Sequence, residues 1–171
     1  ESSASVHIDE DGGATVVSSS PDIGGSRASM AMMAAEVLGL PIERVRCIVG
    51  DTQSIGFSGS TGGSRVTFAT GIAVIQASEK IIEDLKRRAA LLWDVAVDQV
   101  AWRDGAAHCL DASKDKKPMS IGALAAGASR TGGPIVSEVA LNAQGAGTGF
   151  GVHVCDIEVD PETGRSIVTR Y

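Results

Sequence analysis

Two glycine-rich segments, each leading into an apolar stretch with helical spacing, are the residues with the clearest potential to do chemistry. The first comprises residues 22–27, with the sequence DIGGSR, and the second comprises residues 60–65, STGGSR. The start of an α-helix presents unpaired N–H groups and a partial positive charge. Glycine lets the backbone approach a ligand closely, while serine, threonine and arginine add hydrogen-bond donors. Two such segments predict a large anionic ligand held through its phosphates.

The expected ligand contacts are the glycines of both segments and the polar residues beside them. They are Gly24, Gly25, Ser26, Thr61, Gly62, Gly63, Ser64 and Arg65. In this interpretation the hydroxyls donate hydrogen bonds, and Arg65 pairs with a phosphate through two N–H groups. The alternative is that both segments are only turns and helix caps.

A third glycine-rich segment, residues 145–151 (GAGTGFG), is similar to a dinucleotide-binding fingerprint. That fingerprint requires a helix directly after the glycines. The apolar pattern from Val152 to Val159 predicts a strand instead, so a flexible loop is the favoured interpretation. The first two segments lack the Gly-Lys-Ser/Thr ending of a phosphate-binding P-loop.

Catalytic residues and metal ligands are not predicted. His7, His108 and His153 occur in separate strand-like contexts, and none has a partner at ligand spacing. The serines of the two glycine-rich segments have no neighbouring histidine to act as a base.

Composition narrows the class of protein. The chain has 171 residues, of which 43% are hydrophobic and 21% are charged, as is typical of a globular domain. A net charge of −6 gives no electrostatic support for nucleic-acid binding. The longest nearly apolar run, residues 66–77, is too short to span a bilayer. Cys47, Cys109 and Cys155 lack the spacing of a zinc or iron–sulfur site, which favours reduced thiols in a cytoplasmic protein.

The elements that must position the glycine-rich segments follow from periodicity and capping. We predict a hairpin within residues 6–17, a helix over 26–38 ended by Gly39, a strand over 45–49, and a helix of about 28 residues over 66–93. Further elements are predicted over 100–105 (a hairpin), 120–126 (a helix capped by Ser120), and 135–141, 152–159 and 166–171 (strands). Because strands bracket the helices without a βαβαβ rhythm, the fold class is α+β. We expect an antiparallel or mixed sheet packed against one long and one or two shorter helices. Residues 1–171 then form a single domain with a small annex at 94–133.

Several short motifs occur in an order and spacing that resemble one protein family. They are residues 22–26 (DIGGS), 34–41 (AAEVLGLP), 44–46 (RVR), 50–52 (GDT), 61–67 (TGGSRVT), 71–74 (GIAV) and 158–164 (EVDPETG). Over nearly its whole length, the chain resembles part of the molybdenum-binding large subunit of the xanthine dehydrogenase/aldehyde oxidase family, which includes carbon monoxide dehydrogenase. We expect an internal segment of such a subunit, since the sequence lacks an initiator Met and stops within a predicted strand.

The resemblance implies a molybdopterin cofactor carrying molybdenum, in bacteria usually as the cytosine dinucleotide. It implies an oxidoreductase that hydroxylates a purine, an aldehyde, an N-heterocycle or CO with water as the oxygen source. Electrons would leave through [2Fe-2S] clusters and FAD in partner subunits or domains. The expected partners are these subunits, the other large-subunit domains and a small-molecule substrate, with no nucleic acid and no membrane span. The alternative is a structural or assembly domain of such a subunit without cofactor contact.

Two departures from the family pattern limit what the resemblance implies. The first loop of the family usually reads Asp-x-Gly-Gln-Gly, whereas here Gly25 directly follows Gly24, a one-residue deletion at the glutamine. We expect either that Ser26 or Arg27 replaces the cofactor contact of that glutamine, or that the full-length protein is a divergent homologue that retains the cofactor less well. The catalytic glutamate of the family lies well beyond Tyr171, so we expect this chain alone to bind no cofactor and to be inactive.

Overall fold

The computed structural model describes residues 1–149 and 151–171, with helices and strands in separate layers. The elements in chain order are β1 (Ser2–Ile8), β2 (Ala14–Ser18), α1 (Ser26–Leu38), β3 (Val45–Val49), a π-helical turn (Val66–Thr70), α2 (Gly71–Trp93), β4 (Val100–Arg103), β5 (Ala106–Cys109), β6 (Met119–Ser120), α3 (Ile121–Ala126), α4 (Ala128–Thr131), β7 (Val136–Leu141), β8 (Asp156–Val159) and β9 (Ser166–Arg170). Single 3₁₀ turns at Ile42–Arg44 and Val97–Gln99 precede β3 and β4.

The main sheet is mixed and has the strand order β3-β2-β1-β7. β1 is antiparallel to both β2 and β7, whereas β2 and β3 are parallel and are joined through α1. Ala4 and Val6 of β1 and Val16 of β2 are fully buried beneath the helices. This arrangement confirms the α+β class and the mixed sheet that the sequence predicts.

The core lies between this sheet and the two long helices. On α2, one face of small and branched residues is fully buried, including Ala73, Ala77, Ile81 and Leu85. Small side chains at the start of α2 allow α1 to come close: a Cβ added to Gly71 would lie 2.7 Å from the Sδ of Met33. The two helices are therefore in close contact at the N-terminal end of α2, shortly after the second glycine-rich segment.

Two predicted elements differ from the structure in extent. The predicted helix over 66–93 begins with the π-helical turn, so that α2 itself starts at Gly71. The predicted strand over 152–159 forms only from Asp156 onward. Its partner β9 ends at Arg170, which pairs with Asp156, so the preceding residues have no strand to pair with. Val152 and Val154 are accordingly 80% and 74% exposed. Alternating apolar residues indicated the β type correctly but not its length.

A second, three-stranded sheet, β4-β5-β6, lies within the segment predicted as an annex. It contacts the end of α1, where Trp102 Nε1 donates a hydrogen bond to the carbonyl of Leu38 at 3.2 Å. Gly39 and Gly105 face each other there, and both have positive φ angles, 74° and 70°. A Cβ on Gly39 would lie 2.4 Å from the backbone nitrogen of Gly105. Only glycine fits this contact, because two backbones touch directly.

The β8–β9 hairpin is exposed along both strands. Ile157 pairs with Val168 on one of its faces. Among the helices of the described residues, none is long and apolar enough to cross a membrane.

Cysteine environments differ within the fold. Cys155 is exposed, whereas Cys47 of β3 is half-buried beside α1. Burial raises the pKa of the Cys47 thiol to about 11, and Arg27 opposes this rise. The thiolate is the reactive form of cysteine, so Cys47 is protected at moderately alkaline pH.

The Gly39–Gly105 contact generates a stability prediction. Gly39→Ala should lower the free energy of unfolding by about 3 kcal/mol or more, since the left-handed backbone costs ~1–2 kcal/mol and the backbone clash adds to it. Gly133→Ala is the matched control, because Gly133 also has a positive φ of 84° but has no atom within 4 Å of an added Cβ. Gly133→Ala should lower the free energy of unfolding only by the cost of the left-handed backbone, ~1–2 kcal/mol. Urea unfolding of both variants measures the difference, and equal losses would contradict the close approach.

Alkylation tests the Cys47 environment. At pH 8.5 iodoacetamide should modify Cys155 at least about tenfold faster than Cys47, because the buried thiol remains protonated. Mass spectrometry of digested protein gives both rates. Since an unfolded Cys47 ionises near pH 9.0, its contribution to stability should decline as pH rises from there toward 11. Equal modification rates at the two sites would show that Cys47 is not shielded.

Candidate functional site

The second glycine-rich segment turns sharply into the π-helical start of the long helix. Gly63 and Ser64 both adopt left-handed backbone conformations, with φ of 61° and 57°. This conformation is unfavourable for serine, which has a Cβ. Gly62, Gly63 and Ser64 are exposed. Their N–H groups donate to no acceptor within the described ranges 1–149 and 151–171. The segment therefore presents a row of open donors at the start of a helix.

Arg65, the last residue of this segment, connects it by hydrogen bonds to the N-terminal residues of the chain. One Nη atom donates to the carbonyl of Gly59 at 3.1 Å, and the other donates to Ser2 Oγ at 2.8 Å and to the carbonyl of Glu1. The guanidinium thus fixes the loop to the beginning of β1 and adds a positive charge to the residue that directly follows the open N–H groups. The sequence predicts a direct phosphate contact for Arg65, and in the structure much of its hydrogen-bonding capacity serves the chain itself.

A cavity of about 370 Å³ adjoins this loop. Its walls are mainly apolar side chains of the two long helices, with glycine backbone on the opposite side. The lining residues are Met33, Ser64, Thr67, Phe68, Gly71, Ile72, Ile75, Gly147, Thr148 and Gly149. A Cβ on Gly147 would lie 3.2 Å from Phe68 Cβ, so the third glycine-rich segment passes close to the helix.

The third segment was therefore the part of the site that sequence reasoning missed. Its glycines are evident in the sequence, but the pattern there predicts a flexible loop. The described part of residues 142–155 is irregular, and no helix follows the glycines before β8. Phe150 lies outside the described residues. No local signal in the sequence places Gly147 beside Phe68, because the two are distant along the chain.

The first glycine-rich segment has a different electrostatic environment. Gly24 and Gly25 are exposed, have positive φ angles and have no atom within 4 Å of an added Cβ. However, the carboxylate of Asp22 lies at the start of α1, where it accepts from the backbone N–H of Arg27 at 3.1 Å. The same carboxylate forms a 2.6 Å ion pair with the Arg27 side chain. These hydrogen bonds hold the pKa of Asp22 below its usual value.

Ser26 is turned inward rather than toward an open ligand space. It is only 7% exposed, and its hydroxyl lies 3.4 Å from both the Pro21 carbonyl and Asp22 Oδ1. Neither Ser26 nor Arg27 lines the cavity beside the second segment. The negative charge that this helix terminus favours is supplied by the chain itself.

The histidines and acidic residues are dispersed in the described part of the chain. There, no three His, Cys, Asp or Glu side chains are close enough to hold a metal ion. His7 Nε2 lies 3.1 Å from the Oγ of Ser5, a residue that is only 6% exposed, and His153 contacts the hydroxyl of Tyr171.

Comparison of this sequence with known proteins identifies its family. The large subunit of nicotine 6-hydroxylase from Paenarthrobacter nicotinovorans is 27% identical over 168 residues, which are 94% of this chain and 21% of that protein. The molybdenum-binding subunit PaoC of an aldehyde oxidoreductase from Escherichia coli K12 is 36% identical over 85 residues, 47% of this chain and 12% of that subunit. This chain thus spans about a fifth or less of the length of these curated relatives.

Solved structures share the fold. Quinoline 2-oxidoreductase from Pseudomonas putida 86 matches 98% of this chain and 22% of its own, with a TM-score of 0.71 and 22% identity. The CO dehydrogenase of Oligotropha carboxidovorans matches 81% of this chain and 18% of its own, with a TM-score of 0.72 and 21% identity. The sequence model of the molybdopterin cofactor-binding domain matches residues 1–171. The chain therefore belongs to the molybdopterin cofactor-binding domain family, and the resemblance read from its motifs is confirmed.

Proposed function

We propose that this chain is the cofactor-binding part of a molybdenum hydroxylase large subunit and that residues 61–65 contact the phosphates of molybdopterin. The observation that carries the proposal is the set of open N–H groups at Gly62, Gly63 and Ser64, directly followed in the chain by Arg65, whose guanidinium is held by hydrogen bonds. Oriented backbone donors next to a fixed positive charge suit a phosphate. The hydroxyls of Thr61 and Ser64 lie on exposed residues and would add donors.

The space next to the loop fits a ligand that is anionic at one end and uncharged along its body. Ser64 lies at the rim of the cavity, whereas Met33, Phe68, Ile72 and Ile75 supply apolar walls. A free phosphate would gain nothing from such walls, but a phosphate-bearing heterocycle would bury apolar surface there. The residues present therefore fit the phosphate and part of the body of the proposed cofactor.

For the first segment we propose a secondary role. The exposed backbone of Gly24 and Gly25 lets a ligand approach closely, but the Asp22 carboxylate opposes a phosphate at the helix start. Ser26 then acts through Asp22, with which its hydroxyl interacts, rather than by direct contact. Replacement of the family glutamine by Ser26 or by Arg27 would require the replacing side chain to leave Asp22.

The remaining parts of the proposal concern the longer protein. When bound, the cofactor supplies molybdenum chemistry that hydroxylates a carbon centre with oxygen from water. We propose the cytosine dinucleotide form, partner iron–sulfur and flavin subunits, and a purine, aldehyde, N-heterocycle or CO as substrate. We propose a cytoplasmic location, which the three free thiols support. We also propose that residues 1–171 act as one domain with a small annex at 94–133. The alternative, a purely structural domain, predicts no ligand response at either loop.

Phosphate titration of this 171-residue chain, followed by amide NMR, distinguishes the two loops. Amides of residues 62–65 should shift, and those of 24–27 should shift less, because Asp22 repels phosphate. Binding will be weak and salt-sensitive, since an exposed helix end contributes roughly 0.3–1 kcal/mol. Asp22→Asn removes the charge at the first loop and should increase the response there. A response confined to other residues would show that the second loop is only structural.

Gly62→Val in the full-length large subunit, purified with its partner subunits, tests cofactor contact directly. Gly62 has no positive φ, and no atom of the described residues lies within 4 Å of an added Cβ, so the side chain causes no strain but adds bulk beside the open N–H groups. Molybdenum and pterin content should fall at least severalfold. Gly127→Ala, whose Cβ would meet only ordinary contacts at 3.5 Å or more, is the control and should retain the cofactor. Equal cofactor content in both variants would contradict the contact.

A further inference from the structure

A pair of buried hydroxyls joins the two glycine-rich segments. Ser20 lies just before the first segment and is 2% exposed, and Thr70 lies at the end of the π-helical turn and is 0% exposed. Their side-chain oxygens are 2.8 Å apart. Two polar groups removed from water depend strongly on each other as hydrogen-bond partners.

The pair extends toward the second segment by further hydrogen bonds. Thr70 Oγ1 donates to Ser2 Oγ at 3.4 Å, and Ser2 Oγ also accepts from Arg65 Nη2 at 2.8 Å. Ser58, which precedes the second segment, has its hydroxyl 3.2 Å from Ser20 Oγ. A continuous path of polar contacts therefore runs from the guanidinium of Arg65 to Ser20.

On the other side, the backbone of Ser20 is fixed to Ser18 at the end of β2, and Ser20 lies two residues before the first segment. The Ser20 N–H donates to Ser18 Oγ at 3.1 Å, and the Ser18 hydroxyl donates back to the Ser20 carbonyl at 3.2 Å. The next residue is Pro21, whose φ is restricted by its ring and whose carbonyl accepts from the Ile23 N–H at 3.2 Å. Ser20 is therefore linked to the turn that carries Gly24 and Gly25 through the short segment of residues 21–23.

We propose that Ser20 and Thr70 are positioning residues that hold the two glycine-rich segments at a fixed separation, so that the segments shift together rather than independently. This inference rests on the proposed function, since a fixed separation matters for a ligand that spans both loops. Neither residue lines the cavity, so their effect on a ligand is exerted through the loops. Preorganisation of this kind lowers the entropic cost of binding.

Ser78 provides a matched comparison on the same helix. It is also fully buried, but its hydroxyl donates only within its own helix, to the Val74 carbonyl at 2.9 Å. Loss of the Ser78 hydroxyl removes a buried polar group without breaking a connection between segments. A merely structural role for Thr70 predicts that Thr70→Val and Ser78→Ala behave alike.

Native-state hydrogen exchange of this chain, with no ligand added, tests whether a substitution on either side of the Ser20–Thr70 hydrogen bond affects the segment on the other side. Thr70→Val should accelerate exchange about tenfold at the hydrogen-bonded amides of Ile23, Arg27 and Ala28 in the first segment. Ser20→Ala should accelerate exchange at Gly59 and Gly71 near the second. Thr70→Ser should restore the exchange rates of the parent chain, and Ser78→Ala should leave all these amides unchanged.

Acceleration confined to the mutated side, or equal acceleration throughout the protein, would overturn the inference. If Thr70→Val does not fold, the Ser20→Ala result decides alone. Because the measurement contains no ligand, its outcome is independent of phosphate binding. A chain with coupled segments but no amide response to phosphate would refute the proposed function and leave the coupling intact.

Discussion

The packing of α2 across β1 and β7 is the contact on which the rest of the structure depends. The helix buries an uninterrupted face from Ala73 through Ile81 to Leu85, and burial of such apolar area is the main stabilising term in folding. Ser137 Oγ donates to the Ala77 carbonyl at 2.6 Å and fixes the position of the helix along the sheet. This packing places the π-helical turn that precedes α2 against the beginning of β1, where Thr70 Oγ1 donates to Ser2 Oγ. The hydrogen bonds of Arg65 to Glu1 and Ser2 are a consequence of that placement.

The same constraint explains why two segments of similar sequence differ in their suitability for an anion. Both combine paired glycines, a serine and an arginine, and both precede helices. In the first, Asp22 is close enough to cap the helix and to bind Arg27, so the positive potential is already compensated. In the second, Arg65 is directed toward backbone carbonyls and brings no carboxylate with it. Local sequence determines the turns, whereas the surrounding charges determine which turn remains open to a ligand.

Much of the fold could be predicted from local patterns. Helix α1 has the predicted bounds because Gly39 provides a left-handed ending, and Ser120 caps α3 by accepting from the Ala123 N–H. The α+β class followed from the order of elements, and the family followed from the spacing of the motifs. Local patterns failed where the outcome depends on partners distant in sequence. The residues before Asp156 have strand-like character but no neighbouring strand. The π-helical turn is buried at Val66, Ala69 and Thr70, so its shape depends on contacts with other parts of the chain.

The candidate site was predictable in its residue types but not in its assembly. The sequence indicated that residues 61–65 could meet a ligand. In the structure residues 61–64 are exposed, and Gly62, Gly63 and Ser64 have open N–H groups, whereas Arg65 is half-buried. The sequence could not indicate that Gly147 approaches Phe68, because that contact joins the π-helical turn before α2 to a segment after β7. Nor could it indicate that Asp22 occupies the first helix end, since an aspartate five residues before Arg27 is equally compatible with a carboxylate in solvent. Glycine content identifies where a ligand could come close to the backbone, but three-dimensional packing decides which glycine-rich segments lie beside the same cavity. Here the second and third segments converge on one cavity, and the first joins them through the buried hydroxyls of Ser20 and Thr70.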